Sequence, residues 1–140
     1  MGETEFAAGL FYLYLCIDKE LLKENLSGDE ELANQTLTAL IEATATVAPT
    51  GKQNSFASRA RASYMLCETG DQQPRSLSVA FLKPVTLGNM LTTARKRIED
   101  TITNMDQAYG VCADQRRHFF VTDEGAEGSL AEVVQCAKEA

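Results

Sequence analysis

Tryptophan is absent from this chain of 140 residues, histidine occurs once, and proline only three times. The shortage of histidine bears directly on function. The one imidazole, His118, stands in Arg116-Arg117-His118-Phe119 with no serine or cysteine arranged nearby as a nucleophile, so catalysis is the poorer reading and His118 is expected to be exposed or paired. Cys16, Cys67, Cys112 and Cys136 are scattered, without the Cys-x-x-Cys pairing that presents two thiolates to one metal; they read as buried, reduced thiols. Asp123, Glu124 and Glu127 lack the calcium-loop pattern and read as solvated, so neither metal nor cofactor is expected. The longest apolar run, residues 10–17, falls short of the ~20 residues of a membrane helix. Glu3 and Glu5 stand where a secretory signal needs basic residues, which makes the cytoplasm the expected compartment, with no membrane partner.

What is present is a 44% hydrophobic composition, enough for one domain with a real core, and an uneven distribution of charge. The net charge is −7, but residues 1–48 set two lysines against nine acids, whereas residues 49–97 set eight cations against Glu68 and Asp71, for a local +6. Residues 98–140 return to −6. Charge gathered on one region makes a local potential that the net value hides, and this one points to an anionic partner. The competing reading is that these cations are solvated or paired with neighbours.

Residues 10–17 are aromatic and apolar on both alternating faces, which predicts a strand covered on both sides. Tyr12 and Tyr14 share one face of it; aromatic platforms can stack bases, but the packed-core reading is preferred. A helical turn is expected over residues 19–25. Ser27-Gly28-Asp29-Glu30 fits a capping box, after which Ala33, Leu37, Leu40, Ile41, Thr44 and Ala48 recur at helical spacing until Pro49 and Gly51 end the helix. Residues 61–69 alternate as a strand closed by Gly70-Asp71, and a short helix is expected over residues 77–83. A long helix follows from Leu87 to Tyr109, ended by Gly110. Beyond it come a short strand at residues 119–121, a flexible acidic loop over 123–128 and a last helix over 130–137.

Between the first long helix and the strand lies Pro49-Thr50-Gly51-Lys52-Gln53-Asn54-Ser55-Phe56-Ala57-Ser58-Arg59-Ala60-Arg61, a loop with cations and amides but no acid. It is not a nucleotide-hydrolysing P-loop: Thr46 stands where that motif needs glycine, Gln53 where it needs Ser or Thr, and a helix precedes it instead of a strand. A looser reading survives, in which Gly51 allows close backbone approach, Lys52 supplies charge, and Gln53, Asn54 and Ser55 supply neutral hydrogen bonds suited to a sugar-phosphate chain. A plain helix-to-strand connection remains the alternative. In the second basic cluster, Arg95 and Lys96 precede Glu99 and Asp100 at the spacing of helical ion pairs, which favours a structural role.

Several runs, taken in order, resemble one family. They are Thr4-Glu5-Phe6, Gly9-Leu10-Phe11-Tyr12-Leu13-Tyr14, Glu24-Asn25-Leu26-Ser27-Gly28, Pro49-Thr50-Gly51-Lys52-Gln53-Asn54-Ser55-Phe56 and Gln73-Pro74-Arg75-Ser76-Leu77-Ser78-Val79-Ala80-Phe81, followed by a long helix ending in Tyr109-Gly110. Together they look like the C-terminal portion of the CasC-type backbone subunit of the type I-E CRISPR Cascade complex. The resemblance implies a non-enzymatic subunit that polymerises along a CRISPR guide RNA and holds its sugar-phosphate backbone while the bases pair with target DNA. Its implied partners are CRISPR RNA, further copies of itself and other Cascade subunits. The implied fold is α+β, a partial RNA-recognition-like (ferredoxin-like) palm of strand, helix and strand followed by a long helix over residues 1–110, with 111–140 as a C-terminal extension. Carried over by position, Gly51, Lys52, Gln53, Asn54 and Ser55 would lie against the guide, with Arg59 and Arg61 just outside the matching run. The chain lacks the family's N-terminal strand and helix, finger insertion and thumb hairpin, so unpaired strand edges are expected, filled by self-association, rearrangement or another chain. The reading from a different class is a small α+β protein-interaction module whose basic loop docks an acidic partner.

Overall fold

Helix α1, Lys19–Asn25, and helix α2, Glu30–Thr46, meet at a tight turn that decides where α2 begins. The Ser27 and Gly28 amides bond back to the carbonyls of Glu24 and Lys23, and Ser27 adopts a φ of 60°, so these residues close α1. The expected capping box therefore does not form. Asp29 caps α2 instead, accepting the Leu32 amide at 2.9 Å, while Glu30 turns to Lys23 at 3.1 Å. In this computed structural model, residues 9–48, 50–51, 59–86 and 88–139 are described. The buried stripe of α2 is Ala33, Leu37, Ile41 and Ala45; Leu40, expected within it, is exposed.

Strand β1, Tyr64–Thr69, pairs antiparallel with β2, Gln115–Thr122, in the register Tyr64↔Phe120 to Thr69↔Gln115. β2 then turns through Asp123 and Glu124 into β3, Gly125–Glu127, giving a three-stranded sheet in the order β1-β2-β3. The flexible acidic loop expected over residues 123–128 is thus a hairpin. Gly128 makes it possible: at φ +66° it passes so close to the His118 carbonyl that a side chain there would collide with backbone. A 3-10 turn, Ser78–Phe81, takes the place of the expected short helix, and helix α3, Met90–Tyr109, ends at Gly110 at φ 88°, as the spacing predicts. Helix α4, Leu130–Glu139, closes the described chain.

Helices cover both faces of the sheet. On one face Met65, Cys67 and Phe119 pack with Ile41 of α2 and with Val133, Val134 and Ala137 of α4. On the other, Tyr64 and Leu66 pack under Leu77, Phe81, and Ile98 and Ile102 of α3. The fold is α+β, with four α-helices and one antiparallel sheet among the described residues. The stretch 111–140, read as an extension, supplies two of its strands and a core helix.

A four-charge network joins the layers. Glu68 of β1 takes Arg75 at 2.8 Å and Arg116 of β2 at 2.6 Å, and Asp106 of α3 takes the same two guanidinium groups at 2.8 and 3.1 Å. Burial pushes the Asp106 carboxyl up, but hydrogen bonds and charge from Arg75 and Arg116 outweigh it and hold the group below its ordinary value of 3.8.

Residues 10–17 form no strand. A strand exists only through backbone bonds to a neighbour, and among the described residues none reaches this run. Tyr12 and Tyr14, expected in the core, are about two-fifths exposed, and Cys16 is exposed, not buried. Cys67 and Cys112 are half-buried, Cys136 is buried, and all four thiols are free.

Two substitutions test these contacts. Gly128→Ala should destabilise the chain by about 2 kcal/mol through strain at positive φ and the collision with the His118 carbonyl, read as a lower urea midpoint. Asp106→Asn should cost about 1–3 kcal/mol at neutral pH by unbalancing the network. A depressed carboxyl contributes stability that is present above its unfolded value and lost as pH falls through the folded one. Wild type should therefore lose stability more steeply than Asp106→Asn below about pH 4, in urea titrations across pH.

Candidate nucleic-acid interface

The basic loop leaves α2 and returns to β1 through two backbone bonds. Val47 caps the helix, its amide on the Ala43 carbonyl at 2.8 Å, and the Ala62 amide comes back to the Ala45 carbonyl at 2.9 Å. The loop therefore stands on a base anchored in the core, since Ala45 is buried and Ala62 packs against the Ile41 cluster. Thr50 and Gly51 are exposed, and a Cβ on Gly51 would meet nothing within 4 Å, so there is open space over this position. Lys52, Gln53, Asn54 and Ser55 lie outside the described residues. Arg59 and Arg61 lie on the returning limb, both exposed.

Ion pairing sorts the remaining cations of residues 49–97. Arg75 is consumed by Glu68 and Asp106. Arg95 pairs with Glu99 at 2.6 Å, as the helical spacing predicts, and also with Glu127 of β3 at 2.5 Å, while its guanidinium lies 4.9 Å from the Phe120 ring centre. Arg97 donates to the carbonyls of Lys83 and Pro84 at 2.5 and 3.3 Å. Among the described residues no hydrogen bond or ion pair engages the side chains of Arg59, Arg61, Lys83 or Lys96, all of them exposed. The expected pair between Lys96 and Asp100 is not formed. Lys83 and Lys96 are the cations that sequence reasoning passed over; no local pattern distinguishes them, because their freedom depends on where the acids of other elements fall.

The acidic side chains gather elsewhere. Glu30, Glu31 and Glu42 line an open groove of about 570 Å³ along α2, a surface that repels a polyanion. His118 is paired, with Nε2 3.1 Å from Glu127 Oε1, and hydrogen bonds from Arg95 and His118 hold the Glu127 carboxyl below the usual range. Asp123 and Glu124 occupy the hairpin turn, and no cluster of metal-ligating side chains occurs among the described residues.

The sheet itself offers no stacking platform. Its two faces lie under helices, and burial, aided by the charge on Glu99, pushes the Tyr64 phenol up to about 12. Tyr12 is tied at the sheet margin, its Oη accepting the Leu77 amide at 3.1 Å and its ring 5.7 Å from that of Phe81. Among the described residues the sheet therefore gives bases no surface to stack on, whereas exposed cations such as Arg59 and Arg61 are of the type that addresses phosphates.

Comparison with known proteins bears on the partner. No curated protein matches the chain at a significant level. A family model of CRISPR-associated proteins, described as CT1975-like protein, matches residues 1–138, nearly the entire sequence. With the basic loop and the sealed sheet both inside that match, the chain belongs to the CT1975-like family of CRISPR-associated (Cas) proteins.

Proposed function

We propose that this chain is a guide-RNA-binding backbone subunit of a type I-E CRISPR interference complex, in the manner of the CasC-type subunit it resembles. The observation that carries the reading is the pair Arg59 and Arg61, exposed and without an acidic partner among the described residues, on a loop whose base is anchored in the core. Membership of a CRISPR-associated family supports a CRISPR RNA as that anion in preference to an acidic protein. In this role Lys52, Arg59 and Arg61 neutralise phosphates, and Gln53, Asn54 and Ser55 bond phosphate or ribose oxygens. Gly51 leaves room for the strand to approach.

The role is to hold, not to transform. The covered sheet faces leave the sheet itself no surface for reading base edges, which suits a division of labour in which guide pairing supplies sequence and the protein supplies the path. Target DNA is reached only through the guide. Further copies of the chain and other Cascade subunits complete the assembly, since a net charge of −7 opposes avid binding of RNA by one isolated copy. No described helix is long and apolar enough to cross a membrane, and we assign the complex to the cytoplasm.

Filter binding of single-stranded guide RNA across a salt series tests the reading. Replacing Lys52, Arg59 and Arg61 together with alanine should weaken binding at least tenfold at low salt. The slope of log affinity against log salt should drop by about 2, from ~0.7 per phosphate contact on a single strand. Thermal stability should be unchanged, because both described arginines are exposed and no ion pair engages either among the described residues. A slope and affinity equal to those of wild type would remove the loop from the RNA path.

A further inference from the structure

We propose that two copies of this chain pair by exchanging residues 10–17, each run adding as a strand to the free edge of the other copy's β1. In the sheet order β1-β2-β3, β1 is an edge strand among the described residues. The Val121 amide bonds the Ser63 carbonyl at 2.8 Å, which sets the phase of the antiparallel ladder. Met65 and Cys67 therefore direct their backbone groups at β2, and Tyr64, Leu66 and Glu68 direct theirs outward. No described group bonds those outward amides and carbonyls.

The edge specifies its occupant. Donors and acceptors repeating along a strand are met by another extended backbone. Because both faces of the sheet lie under helices, an added strand has apolar neighbours above and below: the Leu77, Phe81 and Ile98 cluster on one side, the Ile41, Phe119 and Val133 cluster on the other. It must be apolar at consecutive positions instead of alternate ones. Residues 10–17, the longest apolar run of the chain, have that pattern.

In a single copy the run and the edge lie near each other without pairing. Tyr12 is held by the Leu77 amide and, just beyond the run, Lys19 reaches the Lys138 carbonyl at 3.2 Å, so side chains moor the run beside the core while no backbone bond reaches it among the described residues. Its large side chains face solvent, Phe11 at 90% and Leu13 at 67% exposure. Taking ~200 Å² for a fully exposed residue of this size, the seven large apolar side chains of the run present roughly 700 Å². That is close to the ~800 Å² per partner of a stable interface. Reciprocal exchange buries two such runs and satisfies two edges, and it closes on itself as a two-fold pair. The pairing needs no RNA and differs from head-to-tail growth along a guide.

Sedimentation velocity of the nuclease-treated chain over a concentration series tests the exchange. The expected result is a species of twice the chain mass that grows with concentration, together with slowed hydrogen exchange at the Tyr64, Leu66 and Glu68 amides in that species. Leu13→Pro removes a strand amide from an exposed position outside any regular element, so the single copy keeps its fold; it should raise the dimer dissociation constant tenfold or more and abolish the slowing. A single copy at every concentration, a dimer indifferent to Leu13→Pro, slowed amides without dimer formation, or oligomers growing beyond two copies would each overturn the proposal.

Discussion

Pairing of β1 with β2 is the constraint from which the rest of the architecture hangs. The two strands come from opposite sides of α3, some fifty residues apart in sequence, and neither helical layer has a surface to rest on until they meet. Once paired, their alternating side chains send Met65, Cys67 and Phe119 to one layer and Tyr64, Leu66 and Phe120 to the other. The charges of Arg75, Glu68, Arg116 and Asp106 then tie strand, strand, loop and helix at one end of the ladder. Removing any one member leaves a half-buried charge without its counterpart, a larger loss than the intact pair contributes.

That arrangement explains why charge, and not surface shape, marks the candidate region. Arg75, Arg95 and Arg97 are absorbed by carboxylates and carbonyls of the fold, and the α2 groove is acidic. What remains for a polyanion is a loop raised on two core bonds and a few exposed cations that no described residue pairs. In the proposed role, such an arrangement would hold a backbone without discriminating bases, which is the property a carrier of interchangeable guides requires.

Much of this was legible in the residues. The helical stripes through Leu37 and Ile41 and through Ile98 and Ile102 predicted α2 and α3, and Gly110 marked the end of α3, because local periodicity and chirality decide such features. The Arg95 to Glu99 pair was legible for the same reason. The capping residue was not: Ser27 and Asp29 are equally good acceptors by type, and the turn that closes α1 consumes Ser27 first. Residues 10–17 have strand composition without a strand, since composition cannot supply the neighbour that a ladder needs. The hairpin at Gly125 and Gly128 was hidden because the contact that shapes it, with the His118 carbonyl, belongs to another strand. For the candidate site, the loop and its flanking arginines were readable, whereas the freedom of Lys83 and Lys96 emerged only once distant acids had been allotted to other partners.

The bond between the Ala62 amide and the Ala45 carbonyl makes the basic loop a closed excursion, both feet standing on buried packing. For such an excursion, doubling the number of residues costs only ~0.6 kcal/mol of closure entropy. The loop can therefore be lengthened, shortened or recharged over evolutionary time with little consequence for the scaffold beneath. It gives this protein a tunable part mounted on a conservative one.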